Sequence, residues 1–291
     1  RGFRRGDTLC LYSPNLPEYA AVFFAVTSIG GVNTTANPLY GAQELARQLR
    51  DTGAKIIVTI PMLAERAREA AVAAGGAEVI VFGEAQGCTP FATLASAVGA
   101  PPATLVDAAR DLAVLPCSSG TTGLPKSVML THRNLVANLA QCESIDDSGP
   151  GDHVIGVLPF FHIYGMTVIL CMVLRRGACV VTMPQFDLEQ YLHLTQRYRT
   201  RNAYLVPPIA LLLTKHPLVE KFDLSSLRTV TSGAAPMGAE LETACATRLN
   251  SFVKQGYGMT EASPVTHFTP NDPALGRAGS CGTLIPNTEC R

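Results

Sequence analysis

Short apolar runs of strand type alternate with amphipathic helical stretches along most of this 291-residue chain, and that alternation restricts the fold more than any other feature. LCLY leads into a helix that Pro17 and Glu18 can start and Gly30 can end. GAQELARQLRDTG is an amphipathic helix with a glycine stop, followed by the strand KIIVT; a helix near 62–74 then precedes EVIVF. After Gly99, Ala100, Pro101 and Pro102, read as a boundary between subdomains, come DLAVLPCS, SVMLT, HVIGVL, ACVVTM, NAYLVP and LRTVTS, all short buried strands by composition. Helices near 132–145, 163–175, 187–198 and 237–249 separate several of them. Such alternation predicts an α/β fold with largely parallel sheets. The expected organisation is one βα-rich subdomain over 1–110 and a second over 111–270, with 271–291 opening a further β subdomain.

Composition excludes several classes. The 23 basic residues balance 23 acidic ones, so the cationic surplus that neutralises nucleic-acid phosphates is missing and nucleic acid is not an expected partner. Charged residues make up 16% of the chain and hydrophobic ones 47%, which rules out global disorder and permits a large core. The 9 cysteines are scattered, without a CxxC pair. They read as free thiols in a reducing cytosol, and a cytoplasmic location is expected. The uncharged run 154–174, followed by Arg175 and Arg176, has the length of a membrane span. Pro159, His162 and Gly165 interrupt it, so it reads as a strand–turn–helix unit of the core, and no membrane span is expected. The chain opens on Arg1 rather than Met, and TLIPNTECR reads as a strand cut off as it begins; both ends suggest a fragment.

The strongest chemical feature is CSSGTTGLPK, running from Cys117 to Lys126 between two expected strands. Two glycines let the backbone approach a ligand, four hydroxyls and the loop amides can donate to phosphate oxygens, and Lys126 adds a mobile positive charge. The spacing does not fit a Walker A loop, because Pro125 precedes the lysine and Gly120 and Gly123 stand too close together. By composition alone the stretch equally fits an ordinary Ser/Gly/Thr turn. In GYGMTE, glycines on either side of Tyr257 leave its ring accessible for stacking on a base. Thr260 can donate to a phosphate oxygen, and the Glu261 carboxylate is a hard ligand suited to Mg²⁺. SGAAP is a loop whose backbone groups can reach a base edge, or alternatively a helix entry with Ser232 or Gly233 near the cap. His162 lies in an apolar run, where a hydrogen-bonded core histidine is the ordinary reading. No G-x-S-x-G elbow, no H-E-x-x-H and no complete dinucleotide fingerprint accompanies these segments.

Taken together and in order, SSGTTGLPKSVMLTH, LPFFHIYGM (158–166), TSGAAPMG (231–238) and GYGMTEASPVTH (256–267) resemble the motifs of the adenylate-forming superfamily, which includes acyl-CoA synthetases, firefly luciferases and peptide-synthetase adenylation domains. HIYG, SGAAP and GYGMTE are most similar to those of 4-coumarate–CoA ligases and their bacterial relatives. The resemblance implies the large N-terminal domain of such an enzyme, with ATP, Mg²⁺ and CoA as cofactors or co-substrates and a small carboxylate as partner. It implies that Ser118, Ser119, Gly120, Thr121, Thr122, Gly123 and Lys126 follow the phosphates. Ala234, Ala235, Pro236, Gly256, Tyr257, Gly258, Met259 and Thr260 would hold the nucleotide, and His162, Tyr164, Gly165, Ala235 and Gly258 would line the acyl slot. Lys126, His162, Thr260 and Glu261 are the implied catalytic set, with Glu261 as the metal ligand. The phenylalanines 160 and 161 beside His162 favour an aryl or arylpropenoyl acid.

The family usually has glycine after the loop lysine, whereas this chain has Ser127. The ribose-binding aspartate, the hinge and the catalytic lysine of the small C-terminal domain would all lie beyond Arg291, so the fragment alone is not expected to complete a turnover. Other readings remain open on these residues: a fatty acyl-CoA or acyl-AMP ligase, a carrier-protein adenylation enzyme, or a non-catalytic nucleotide-binding module.

Overall fold

Short extended runs, buried for the most part and β-branched-rich in β2, β3 and β4, build β1 (Thr8–Tyr12), β2 (Val32–Thr35), β3 (Ala54–Thr59), β4 (Glu78–Val81), β5 (Thr89–Pro90) and β6 (Leu112–Ser118) into one sheet. Its order is β5-β4-β3-β1-β2-β6, and every neighbouring pair is parallel. Parallel strands need crossover connections, and the sequence supplies helices for them. The computed structural model describes residues 2–96, 104–118 and 126–291, and the chain divides into two units, Arg1–Leu135 and Val136–Arg291. The Gly99–Pro102 boundary expected from the sequence lies outside the described residues.

In the first unit, α1 (Pro17–Ser28) begins on a proline and ends before Gly30, which sits at φ +73°. The next helix, α2 (Ala42–Thr52), starts where the Gly41 N–H donates to Glu44 Oε2 at 2.8 Å and stops at Gly53, in the left-handed region. Leu45, Ala46, Gln48 and Leu49 form its buried face, and α3 (Ala64–Ala73) buries Ala64, Ala67, Ala70 and Ala71. These faces pack with Cys10, Tyr12, Ile57, Val79 and Val81 into one core, where truncating a leucine to alanine costs about 2–5 kcal/mol. A short α4 (Ala92–Ala95) follows β5.

The sequence places DLAVLPCS at the head of the second half; as β6 it instead pairs with β2 of the first sheet. SVMLT was expected to form one strand. It splits into β7 (Lys126–Ser127) and β8 (Leu130–Thr131), both antiparallel to β6. Pro116, which has no N–H to donate, falls on β6 between the two pairings.

The second unit takes over within α5 (His132–Gln141). The uncharged run at 154–174 resolves into β9 (His153–Gly156) and a helix of π type over Tyr164–Val173 that leads to β10 (Cys179–Thr182), parallel to β9. Among the described residues no helix is long and apolar enough to cross a membrane. Then come α6 (Leu188–Arg197), β11 (Asn202–Leu205), α7 (Pro207–Lys215), β12 (Thr229–Ser232), α8 (Ala239–Leu249), β13 (Phe252–Gly258), β14 (Val265–Phe268) and β15 (Thr283–Leu284). The strands β11, β12 and β13 are parallel, and β14 and β15 extend the sheet antiparallel. Asp187 caps α6, its Oδ1 accepting from the Gln190 N–H at 2.8 Å. The α8 helix begins after Gly238, so 233–238 is a loop and neither Ser232 nor Gly233 is its cap. All nine cysteines are free thiols, and burial pushes Cys142 and Cys171 up to about 12.

Candidate functional site

Ligands of parallel α/β sheets gather where loops leave the carboxyl ends of strands, and the second unit has such a place beyond β12 and β13. A cavity of about 160 Å³ opens there, lined by His162, Tyr164 and Val168 from one side, Thr231–Ala234 from the end of β12, Gly256–Thr260 from β13, and Val265 and Phe268 from β14. Next to it lies a second cavity of about 430 Å³, lined by Ala234–Gly238, Gln255–Gly258, Gly279 and Cys281. Ala234, Gly256, Tyr257 and Gly258 line both. The two spaces are separated there by small residues and a single tyrosine.

Backbone geometry shapes this divide. A Cβ on Gly258 would overlap the Pro264 carbonyl, so β13 and the start of β14 approach as closely as glycine allows. Ala234 is held at φ +69°, a conformation that costs a non-glycine residue about 1–2 kcal/mol and is found where surrounding structure imposes it. Tyr257 is 50% exposed. Its ring stands edge-on to His267, with centroids 5.9 Å apart, while Thr266 Oγ1 donates to the Tyr257 carbonyl at 3.3 Å.

On the smaller cavity, the Tyr164 N–H donates to His162 Nδ1 at 3.2 Å, which leaves Nε2 as the proton-bearing nitrogen of the neutral ring. The His162 ring reaches solvent, yet desolvation by the atoms around it lowers its pKa. Tyr164 Oη donates to the Thr231 carbonyl at 3.3 Å, and burial pushes its phenol well up, so it stays neutral. Beneath Val168, Val265 and Phe268 lies a buried polar cluster. Asp146 Oδ1 accepts from Tyr204 Oη at 2.6 Å and from Ser148 Oγ. Lys254 Nζ donates to Asn271 Oδ1 at 2.7 Å and to the Ile145 carbonyl at 3.0 Å, and desolvation lowers its pKa.

Of the residues expected to act together, the structure brings His162, Tyr164, Ala234, Gly256, Tyr257, Gly258, Met259 and Thr260 onto the smaller cavity. Ala235 and Pro236 line only the larger one. Gly165 lies in the same turn as Tyr164 but lines neither, and Phe160 is fully buried in the core. Glu261 is exposed directly after the buried Thr260. Ser118 and the exposed Lys126 stand at the end of β6 and on β7 of the first unit; Ser119, Gly120, Thr121, Thr122 and Gly123 lie outside the described residues. Sequence reasoning missed Val168, Thr231, Val265 and Phe268, and also Gln255, Gly279 and Cys281. For Val168 the i+4 spacing from Tyr164 was a usable signal, but every residue around it is also apolar.

Parallel βα units with cavities beyond the strand ends are the arrangement in which α/β domains hold small ligands. The chain belongs to the family of AMP-binding enzymes, whose model matches residues 1–291. It is 40% identical to 4-coumarate–CoA ligase 1 of Petroselinum crispum, an alignment that takes in 100% of this chain and 55% of that protein. With 4-coumarate–CoA ligase 5 of Oryza sativa subsp. japonica the identity is 42% over the same shares. The chain thus spans about half the length of the curated relatives it matches. The crystal structure of the N-terminal domain of FACL13 from Mycobacterium tuberculosis superposes with a TM-score of 0.84 at 26% identity, covering 98% of this chain and 71% of that one. The α/β class with largely parallel sheets, expected from the sequence, is the fold observed.

Proposed function

We propose that this chain forms the nucleotide- and carboxylate-binding part of an AMP-forming acid–thiol ligase, which activates an aryl or arylpropenoyl acid as its adenylate and then transfers it to CoA. The observation that carries the reading is the thin divide at Ala234 and Gly256–Gly258. A group held in the larger cavity and a group held in the smaller one meet there across backbone and a single ring.

In this reading the larger cavity takes adenine, with the exposed Ala234–Pro236 loop offering backbone groups and Tyr257 its ring. The smaller cavity takes the acyl group against Tyr164, Val168 and Phe268. A carboxylate oxygen attacks the α-phosphorus of ATP, the bond to the bridging oxygen breaks, and pyrophosphate leaves with the electron pair. In the second step the CoA thiolate attacks the acyl carbon and AMP departs. Both steps call for positioning and charge neutralisation. Thr260 donates to a phosphate oxygen and neutral His162 presents an N–H toward the acyl side; the phosphate role of Ser118, of Ser119 to Gly123 and of Lys126 is what the resemblance implies. Gly165 shapes the acyl slot through the turn it permits.

The exposed Glu261 carboxylate is of the donor type Mg²⁺ accepts, and among the described residues no group of three or more His, Cys, Asp or Glu forms a cage. That donor set suits an ion that keeps phosphate and water for its other positions. When bound, magnesium would neutralise phosphate charge. Free thiols at both buried and exposed positions suit a reducing compartment such as the cytosol.

The test is carboxylate-dependent exchange of pyrophosphate into ATP by the protein that carries this chain, across acids matched for solubility. Cinnamate-like acids should give the highest kcat/KM. A preference for palmitate over every aryl acid by more than about tenfold would reject the aryl reading, and absence of exchange with all acids would reject adenylation.

A further inference from the structure

We infer that Glu242, which lines neither cavity, is the positioning residue that holds three walls of the nucleotide cavity in register; the inference rests on the nucleotide reading of that cavity. The walls come from separate stretches: the loop ending at Gly238, the strand β13, and the segment around Gly279. Nothing in their sequences pairs them.

Gln255 makes the first connection. It is buried on β13, and its carboxamide is engaged at both ends. Oε1 accepts from the Met237 N–H at 3.3 Å and Nε2 donates to the Met237 carbonyl at 2.9 Å. A side chain thus pairs with both backbone groups of one loop residue, as a neighbouring strand would. The remaining Nε2 hydrogen goes to Glu242 Oε2 at 2.6 Å.

The same carboxylate oxygen accepts the Gly279 N–H at 2.9 Å. Glu242 is itself 8% exposed, on α8. Gly279 sits at φ +80°, where a Cβ would press to 3.3 Å from the backbone nitrogen of Ala239, so the segment is seated on the start of the same helix. One buried oxygen therefore fixes the loop through Gln255 and Met237, the strand through Gln255, and the third wall directly. A donor left unpaired in a buried site loses its hydration without a replacement, and both N–H groups that reach this oxygen would be left so. Removing the carboxylate frees the Gly279 wall from the other two and leaves the Gln255 amide, still paired with Met237, without its third partner, while every ligand-facing residue is retained.

The experiment measures AMP binding by calorimetry and pyrophosphate exchange in the full-length protein, for wild type, Glu242→Ala, Glu242→Gln and Gln255→Met. Glu242→Ala should weaken AMP binding and raise KM for ATP by about tenfold or more, with kcat at saturating ATP within about threefold. Glu242→Gln should stay within about threefold of wild type in AMP affinity, because its carboxamide oxygen can accept from the same two N–H groups. A folded Glu242→Ala that binds AMP as wild type does overturns the inference, as does equal loss in the Ala and Gln variants. If Glu242→Ala does not fold, Gln255→Met decides. It keeps the carboxylate on Gly279 and cuts the link to Met237; weakened AMP binding supports the clasp, and unchanged binding overturns it. Wild-type protein that binds no AMP would instead refute the nucleotide reading on which the clasp depends.

Discussion

Asn138 and Val265, 127 residues apart, exchange two hydrogen bonds: Asn138 Nδ2 donates to the Val265 carbonyl at 2.8 Å, and the Val265 N–H donates to Asn138 Oδ1 at 3.1 Å. A buried side-chain amide on α5 thereby stands in for a strand at the start of β14 and fixes the Val265 wall of the smaller cavity. Asn138→Ala should lower stability by about 1–3 kcal/mol, because two buried backbone groups lose their partners. Asn138→Asp should be at least as harmful, since the carboxylate cannot donate to Val265 and carries a buried charge. Urea unfolding midpoints read both, and a change below about 0.5 kcal/mol for either would contradict this pairing.

Gly165 marks where the helix over Tyr164–Val173 meets the chain before it. A Cβ there would overlap the Pro159 carbonyl. Gly165→Ala should cost about 1–3 kcal/mol through forced displacement of that turn. Gly149→Ala meets no atom within 4 Å and should stay within about 0.5 kcal/mol. Equal unfolding midpoints for the two variants would contradict the packing.

The Tyr257 prediction separates ring from hydroxyl. Stacking uses the ring alone, so Tyr257→Phe should bind AMP within about threefold of wild type and Tyr257→Ala at least about fivefold more weakly. Equal loss in both, measured by calorimetry, would assign the role to the hydroxyl.

His162 carries a pH dependence of defined sign. Desolvation holds its folded pKa below the ordinary value, about 6.5 for an unperturbed histidine. The unfolded chain therefore binds the proton more readily. The stability contributed by the neutral ring is complete above about 6.5 and declines as pH falls toward the lower folded value. Relative to His162→Gln, which does not titrate, wild type should lose stability between about pH 7.5 and 5. A constant difference in urea midpoint over that range would contradict the shift.

Much of this organisation is legible in the residues because it is local. Short apolar runs between helices bounded by proline or glycine mark β1 to β4 and their crossovers, and Pro17 and Gly53 stand at helix ends for backbone reasons visible in the sequence. What escapes is non-local or masked. The partner of β6 is a matter of register with β2, which lies far back in the chain. α7 hides because its apolar residues follow two prolines, though Pro207 at the first helical position was a readable signal. The glycines flanking Tyr257 depress strand propensity and hide its place on β13, where it pairs with His267 on the antiparallel edge. The motif glycines and Tyr257 are recognisable at the candidate site because ligand approach demands their residue types. Phe268, Gln255 and Gly279 are brought there by topology and carry no compositional mark.

The central claim, that a carboxylate oxygen attacks the α-phosphorus, is tested most directly with cinnamate labelled with ¹⁸O in both carboxylate oxygens. The protein that carries this chain is supplied with ATP, Mg²⁺ and CoA, and the products are read by mass spectrometry. An acyl-adenylate route places one ¹⁸O in each AMP released, with the other retained in the thioester carbonyl. Thioester formed with unlabelled AMP, or with label in inorganic phosphate, would contradict the account.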